Sequence, residues 1–215
     1  MNRLILASNS PRRKNLFSLF GWPFEVIPAD LAETRLPEES PVDYVRRLAW
    51  EKAHEVAKRY QGLVIAADTI VVDEDEFLGK PADEKNAARM LRQLRGRTHQ
   101  VYTGIAILDT QTDQYFEDVC CTDVPMRNYS EQEFQAYIAT GDPMDKAGAY
   151  AIQHAGFHPV EDLNGCYASV MGLPLCHLAV GLKEFNLKIS PELPQRCQDL
   201  LDIHCPDFDD ILGED

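Results

Sequence analysis

The sequence predicts an α/β protein, because apolar strands and capped helices follow one another along the chain. A continuous apolar run at residues 63–67 is typical of a strand buried on both faces, and the strand pattern resumes after residue 68. Residues 4–7 form a second apolar strand, and a tight turn then leads into a helix that begins near Pro11 and ends before Gly21. Residues 97–108 and 115–126, joined by a polar turn, indicate a hairpin.

Further elements follow from capping residues and from breaks in the apolar pattern. Helices are predicted to begin after Ser40, Asp83 and Ser130, and the first of them is expected to run to about residue 60. The remaining expected elements are a strand at residues 22–28, a closely packed loop and strand at residues 141–153, and a last helix at residues 175–185.

One domain is expected over residues 1–187, followed by an acidic tail at residues 188–215. A chain of 215 residues is long enough to bury a sizeable core. The tail carries eight acidic residues against two basic ones, with scattered apolar residues and prolines. Such a composition predicts a segment that is loosely docked or disordered and peripheral to the chemistry.

The composition excludes several classes of partner. A net charge of −14 disfavours binding to nucleic acid or to an anionic membrane. No apolar run approaches the ~20 residues of a membrane span, and the apolar region at the start is too short for a signal peptide. The six cysteines have neither metal-ligand spacing nor the pattern of a small disulfide framework, so a reducing cytoplasm is the simplest setting.

A carboxylate in the middle of the first apolar strand is the strongest single indication of a site. Asp68 interrupts the strand, and a buried carboxylate costs several kcal/mol unless it is paired or bound to a cation. Lys80 follows it after an acidic turn. Together they indicate a cleft at strand ends that handles anions. A buried Asp that caps a loop, with a surface Lys beside a turn, explains this segment equally well.

Basic residues surround the start of the first helix. Ser8 and Ser10 precede Arg12, Arg13 and Lys14, where exposed backbone amides favour an anion. Three bases at a helix N-terminus oppose the preference of the helix dipole for acids, and this mismatch favours a phosphate site over a plain turn with solvated bases.

Lys52 and His99 allow two interpretations each. Lys52 lies four residues after Leu48, inside the apolar stripe of its helix. It either extends along the edge of that stripe, which is the commoner outcome, or reaches a cleft and meets an anion. His99 shares one face of a strand with apolar residues, which favours a satisfied sheet histidine over a metal ligand.

Six ordered blocks of the sequence resemble the Maf family, the septum-formation inhibitor-like nucleoside triphosphate pyrophosphatases. The resemblance spans about residues 4–187. The blocks are ASNSPRR at residues 7–13, YVRRLA with Lys-Ala at residues 44–53, ADT at 67–69, GKP at 79–81, DKAG at 145–148 and GLPL at 172–175.

The resemblance implies a cytoplasmic enzyme, commonly a homodimer, that hydrolyses a nucleoside triphosphate to the monophosphate and pyrophosphate with Mg²⁺ or Mn²⁺. The implied fold is a long mixed sheet flanked by helices, with a deep cleft, similar to the inosine triphosphatase-like architecture. The segment AYAIQ at residues 149–153 resembles the branch that takes dTTP and UTP. A pyrophosphatase for 7-methyl-GTP or another modified nucleotide, and a non-catalytic nucleotide-binding regulator of cell division, are the alternatives.

The resemblance also assigns site residues by position. Asp68 occupies the position of the family's catalytic proton acceptor. It would act either as the direct base or as a metal ligand, and Glu33 would be a ligand of the same metal. The matching substrate-binding positions are Ser8, Arg13, Lys52 and Lys80, with Arg12, Thr69 and Gln153 at positions that set base preference. The chain departs from the family pattern at Ala32, Ala151 and His154.

Overall fold

A mixed sheet forms the centre of the protein. The computed structural model describes residues 3–213, apart from the side chain of Asp209. Within them, six strands lie in the order β2-β1-β3-β5-β6, with β4 beside β3. The strands are β1 (Leu4–Leu6), β2 (Glu25–Val26), β3 (Leu63–Asp73), β4 (Glu76–Leu78), β5 (Thr98–Asp109) and β6 (Tyr115–Pro125). The α/β class, the mixed sheet and the predicted hairpin, β5 with β6, are confirmed.

One edge of β3 is open in its middle. β5 pairs antiparallel with β3 along residues 63–72 and occupies one edge of the strand. On the other edge, β1 pairs parallel with residues 63–65 and β4 pairs antiparallel with residues 71–73. In the register of the described strands, neither β1 nor β4 pairs with residues 66–70, so the sheet has a gap beside Asp68.

Helices cover both faces of the sheet. The helices are α1 (Pro11–Ser18), α2 (Pro41–Ala57), α3 (Glu84–Leu94), α4 (Glu131–Ile138), α5 (Tyr167–Val170), α6 (Leu175–Glu184), α7 (Leu193–Leu201) and α8 (Phe208–Leu212), with short 3₁₀ helices at Asp142–Asp145 and Ala147–Ala149. α2 packs on one face, and the cluster that contains α1 and α6 packs on the other. No helix among the described residues is both long and apolar enough to cross a bilayer.

The predicted caps are present. The Ser10 side chain accepts from Arg13 N at the start of α1, and Ser40 and Asp83 cap α2 and α3 in the same way. Ser130 forms the expected capping box at α4. These bonds satisfy amides that have no partner within the helix, so the starts of the helices follow from local sequence.

Alternation along β3 places neighbouring residues on opposite faces. Val64 and Ala66 belong to the cluster under α2, whereas Ile65 and Ala67 belong to the cluster with α1 and α6. Asp68 therefore lies on the α2 face and Thr69 on the α1 face. The open edge lets both of these residues reach one cleft.

Three element predictions are wrong. The strand expected at residues 22–28 is only Glu25–Val26, because the flanking prolines lack the N–H that a strand ladder requires. Residues 150–153 form no strand. The tail contains α7 and α8, and Leu193 is 1% exposed in the core of the α1 face. Leu193, Cys197 and Leu201 recur every four residues, a stripe that the acidic composition obscured. The domain boundary after residue 187 stays a prediction.

Candidate active site

A cleft of about 440 Å³ opens at the gap in the sheet. It lies between the turn after β1, the open edge of β3, the turn after β4 and the segment at residues 145–153. All nine side chains assigned by the family resemblance line it: Ser8, Arg12, Arg13, Glu33, Lys52, Asp68, Thr69, Lys80 and Gln153. The structure thus brings together residues that are far apart along the chain. Lys14, the third base of the predicted phosphate site, is exposed and is not among the lining residues.

Two carboxylates share one ammonium group at the centre of the cleft. Lys52 Nζ lies 2.5 Å from Asp68 Oδ1 and 2.5 Å from Glu33 Oε1. Lys52 and Asp68 are buried, and the Glu33 side chain is 42% exposed. The question about Lys52 is thereby answered, because its side chain crosses from α2 into the cleft. A buried carboxylate is tolerated here because a cation pairs with it.

The two carboxylates differ in proton affinity. Burial raises the pKa of Asp68, and the charges of Lys52 and Arg13 only partly oppose this. For Glu33, burial acts in the same direction, but the charges of Lys52, Lys80 and Arg13 together outweigh it, so the pKa of Glu33 is lowered. The pKa values of the two carboxylates are thus shifted in opposite directions. Two carboxyl groups with pKa values driven apart are a common arrangement for acid–base chemistry.

Arg13 is held by neutral acceptors. Its Nε donates to the Gly172 carbonyl oxygen at 2.8 Å, and its Nη2 donates to Thr69 Oγ1 at 3.0 Å. Its Nη1 lies 3.4 Å from Ser8 Oγ. Burial lowers the pKa of Arg13, while the carboxylates of Asp68 and Glu33 oppose this shift, and a guanidinium remains protonated in proteins. Its positive charge is therefore available to an anion in the cleft.

Gly172 is a residue of the site that the sequence analysis did not select. Its φ is +105°, and a Cβ there would lie 3.1 Å from Arg13 Nε and 3.2 Å from Thr69 Oγ1. A side chain at this position would both strain the backbone and press on the guanidinium. The GLPL block contained the signal, but only as part of a resemblance.

Further charged side chains line the cleft. Arg12 Nη1 lies 3.7 Å from Asp145 Oδ2. Lys80 is exposed and helps to lower the pKa of Glu33, so its charge reaches the carboxylate pair. Lys146, which the sequence analysis did not select, is buried, with Nζ donating to Asp142 O at 2.5 Å and Asp145 Oδ1 at 2.6 Å. This pairing holds the segment at residues 145–153 against the cleft.

His99 lies on β5 outside the cleft lining. One ring nitrogen, Nε2, lies 2.8 Å from Tyr150 Oη. The other, Nδ1, is buried without a hydrogen-bond partner among the described residues. Burial lowers the pKa of His99 to about 4, so the ring is neutral near pH 7. The sheet position is confirmed, and the expectation of a fully satisfied ring is wrong at Nδ1.

Two carboxylates beside Lys52 are candidate donors for a divalent cation. No three His, Cys, Asp or Glu side chains within residues 3–213 are grouped so that they could hold a metal ion by themselves. Mg²⁺ is commonly held by one or two carboxylates together with substrate phosphates and water. Glu33 and Asp68 fit that mode of binding, with the other oxygens coming from the substrate.

Fold and site together define an α/β protein with a cleft that is built around a buried carboxylate and lined by cationic side chains. The profile of Maf-like proteins matches residues 3–185. The chain is 47% identical to the dTTP/UTP pyrophosphatase of Dictyoglomus thermophilum, over 81% of this chain and 92% of that one. It is 45% identical to the enzyme of the same name from Bacillus cereus, over 88% and 99%. The protein belongs to the Maf family.

Likeness to solved structures is weak. The Ham1 protein of Staphylococcus aureus matches with a TM-score of 0.47 and 15% identity, over 75% of this chain and 81% of that one. The nucleoside-triphosphatase / dITP/XTP pyrophosphatase of Mycobacterium abscessus matches with a TM-score of 0.43 and 13% identity, over 86% and 97%. The fold class rests on the sheet and helices described above and not on these likenesses.

Proposed function

We propose that this protein is a nucleoside triphosphate pyrophosphatase that hydrolyses dTTP and UTP to the nucleoside monophosphate and pyrophosphate. The observation that carries the proposal is the buried Asp68 in one cleft with a guanidinium whose hydrogen-bond partners are neutral. Relatives that are 45–47% identical over most of the chain carry the name dTTP/UTP pyrophosphatase, which supports the choice of substrate.

The cations of the cleft would stabilise the negative charge that develops during cleavage. Cleavage after the first phosphorus places additional negative charge on the leaving pyrophosphate. Arg13 and Lys80 stabilise this charge, and Ser8 orients the phosphates through its hydroxyl group. Fixed cations in a partly dry cleft act more strongly than in water, since no solvent needs to reorganise during the reaction.

Asp68 accepts the proton of the attacking water in this proposal. Burial raises the pKa of Asp68, which favours proton acceptance, whereas the pKa of Glu33 is lowered. Lys52 holds both carboxylates in place. Glu33 and Asp68 would hold Mg²⁺ or Mn²⁺, which when bound neutralises phosphate charge and acts as a Lewis acid.

Base recognition is assigned to three further residues of the cleft. Arg12, Thr69 and Gln153 line the same cavity as the carboxylates. The Gln153 side chain carries both a donor and an acceptor and suits the edge of a pyrimidine. The names of the relatives are the reason that dTTP and UTP are preferred over 7-methyl-GTP here.

A panel of triphosphates tests the proposal. dTTP, UTP, CTP, dATP, GTP and 7-methyl-GTP are incubated with Mg²⁺ or Mn²⁺, and monophosphate and pyrophosphate are each measured. We expect dTTP and UTP to react fastest, with one pyrophosphate for each monophosphate. Release of a nucleoside diphosphate and inorganic phosphate would contradict the cleavage position. Equal rates on purine triphosphates would contradict the substrate choice.

The same panel separates the alternatives. Fastest turnover of 7-methyl-GTP would favour the modified-nucleotide enzyme. Tight nucleotide binding without hydrolysis under both metals would favour the non-catalytic regulator. The proposed cytoplasmic homodimer is tested by cell fractionation and by the molar mass in light scattering, where a single-chain mass of 24.3 kDa would contradict the dimer.

A further inference from the structure

Thr103 lies behind the cleft, on β5, and is fully buried. It stands directly opposite Thr69 in the register of β3 and β5, and the two hydroxyl oxygens are 2.9 Å apart. Thr103 does not line the cavity. A buried hydroxyl group at this position therefore contacts the site only through Thr69 and its neighbours.

The direction of these hydrogen bonds follows from counting hydrogens. Thr103 Oγ1 donates to the Ser169 carbonyl oxygen at 2.8 Å, and a carbonyl can only accept. Thr103 has one hydroxyl hydrogen, which this bond uses. Thr69 must therefore donate its own hydrogen to Thr103. Towards the cleft, Thr69 Oγ1 then acts only as an acceptor, and it accepts from Arg13 Nη2 at 3.0 Å.

The same bonds close into a ring. The Ser169 carbonyl oxygen also accepts from the backbone N–H of Gly172 at 2.8 Å. The carbonyl oxygen of Gly172 in turn accepts from Arg13 Nε at 2.8 Å. Arg13, Thr69, Thr103, Ser169 and Gly172 thus form one closed set of hydrogen bonds, in which the hydroxyl hydrogens of Thr69 and Thr103 each have a defined acceptor.

We propose that Thr103 is a positioning residue that holds the Arg13 guanidinium in the cleft by fixing the Thr69 hydroxyl group as its acceptor. The inference rests on the proposed pyrophosphatase function. It also limits the part of Thr69 in base preference: its hydroxyl hydrogen is directed to Thr103, so it has no hydrogen to donate to a base.

Thr122 provides a matched control. It lies on β6, is 2% exposed, and its hydroxyl group donates to the Cys166 carbonyl oxygen at 3.5 Å, at the N-cap of the short helix that contains Ser169. Thr122 therefore resembles Thr103 in burial, residue type and contact with the same helix. It has no hydrogen bond to Thr69 or Arg13 among those of the described residues.

The experiment compares Thr103→Val, Thr103→Ser and Thr122→Val with the wild type for dTTP hydrolysis. Valine keeps the shape of threonine and removes the hydroxyl group. We expect Thr103→Val to lower kcat/KM about tenfold, the size of one hydrogen bond to a charged group. Thr103→Ser and Thr122→Val should stay within about twofold, less than one ordinary hydrogen bond.

A double-mutant cycle with Arg13→Met separates positioning from packing. If Thr103 acts through Arg13, Thr103→Val should change kcat/KM by less than about twofold in the Arg13→Met protein. An undiminished tenfold loss in that background would overturn the inference, and so would wild-type activity of Thr103→Val itself. If Thr103→Val does not fold, Thr103→Ala takes its place in the same cycle with the same expected values.

Binding of inorganic pyrophosphate keeps the inference separate from the proposed function. In calorimetric titrations, Thr103→Val should weaken pyrophosphate binding about tenfold, and Thr103→Ser should restore it. A wild-type protein that binds pyrophosphate but hydrolyses no triphosphate would contradict the proposed function alone. Equal pyrophosphate affinity of the wild type and Thr103→Val would contradict the positioning of Arg13.

Discussion

Lys52 and Arg13 are both cations that line the cleft beside β3, but Lys52 pairs with carboxylates and Arg13 with neutral oxygens. Lys52 lies on the α2 face, and its Nζ is 2.5 Å from each of two carboxylates. Arg13 lies on the α1 face, and its three nitrogens meet a carbonyl and two hydroxyl oxygens. The partners of a positive charge therefore differ between the two faces of β3: they are carboxylates on one face and neutral oxygens on the other.

The difference separates two tasks. The charge of Lys52 is balanced by Asp68 and Glu33, so its main effect is to hold those carboxylates in place. The charge of Arg13 is not balanced by any group in its hydrogen-bonded ring, so it remains available for an anion. A cleft that must both keep a base and bind a triphosphate needs one cation of each kind.

Replacement of Asp68, the buried carboxylate that pairs with Lys52, should give the largest effect on activity. Asp68→Asn keeps the shape of the side chain but cannot accept a proton, so we expect kcat to fall by about 10²–10⁴-fold. The measurement is pyrophosphate release from dTTP, with circular dichroism as the check on folding. Near-normal turnover of a folded variant would exclude Asp68 as the base.

Replacement of each cation by methionine tests the comparison through stability. Lys52→Met leaves a buried carboxylate without its partner and should lower the free energy of unfolding by about 3–5 kcal/mol. Arg13→Met leaves only neutral acceptors unpaired and should lower it by about 1–2 kcal/mol. Urea denaturation at neutral pH measures both.

Each of these two variants is the control for the other, because both replace a long cationic side chain by methionine. A larger loss for Arg13→Met than for Lys52→Met would contradict the division between a balanced and an unbalanced charge. Equal losses would show that the carboxylates around Lys52 find other partners.

Gly104 allows α2 to pack closely on the sheet beside Asp68 and Lys52. It lies opposite Asp68 in the register of β3 and β5, and a Cβ there would lie 2.5 Å from the Val45 carbonyl oxygen of α2. Gly104→Ala should therefore push α2 away from the sheet, cost about 3 kcal/mol of stability and move Lys52 from Asp68. Thermal unfolding and dTTP turnover measure these effects.

Gly156→Ala is the control for Gly104→Ala, since its nearest outside contact would be a ring carbon of His154 at 3.3 Å. We expect it to change stability by less than about 1 kcal/mol. An unchanged Gly104→Ala protein would mean that α2 can shift without affecting the cleft.

His99 extends the comparison to a buried group whose hydrogen-bond partner is a neutral hydroxyl group, and its effect on stability should be smaller than those of Lys52→Met and Gly104→Ala. Burial lowers the pKa of His99 to about 4 in the folded protein, below its unfolded value. The stability associated with the neutral ring is therefore complete above the unfolded pKa and is lost as the pH falls towards the folded one. Between about pH 7 and about pH 5 this loss should reach about 2 kcal/mol.

Urea denaturation of the wild type and His99→Gln across this pH range isolates that contribution. Other groups titrate in both proteins, so their effects cancel in the difference between them. Parallel stability curves would show that His99 gains a proton without penalty and is less isolated than its surroundings indicate.

Much of the site was predictable because its residues carry local signals. Asp68 stands out in an apolar strand, and Arg13 stands out at a capped helix start. Lys52 was ambiguous, because its position in the stripe of α2 is compatible with a solvated edge or with a cleft. Thr103, Gly104 and Gly172 had no comparable signal, since a threonine or a glycine is ordinary in a strand or a turn.

Contacts between distant parts of the chain explain what the sequence did not reveal. The hydrogen bond between Arg13 and Gly172 joins residues 159 positions apart, and the one between Thr69 and Thr103 joins residues 34 positions apart. No local pattern specifies such pairs, because they depend on strand register and on which helix packs behind which strand.

By itself, the amino-acid sequence determined where the helices begin, which strands alternate and which charged groups are available, because capping bonds and apolar periodicity act over a few residues. Only the tertiary structure decided that β1 and β4 leave a gap beside Asp68, and that one cation is balanced while the other is not. The reason is physical: the environment of a buried charge is made by side chains that folding brings together from remote positions.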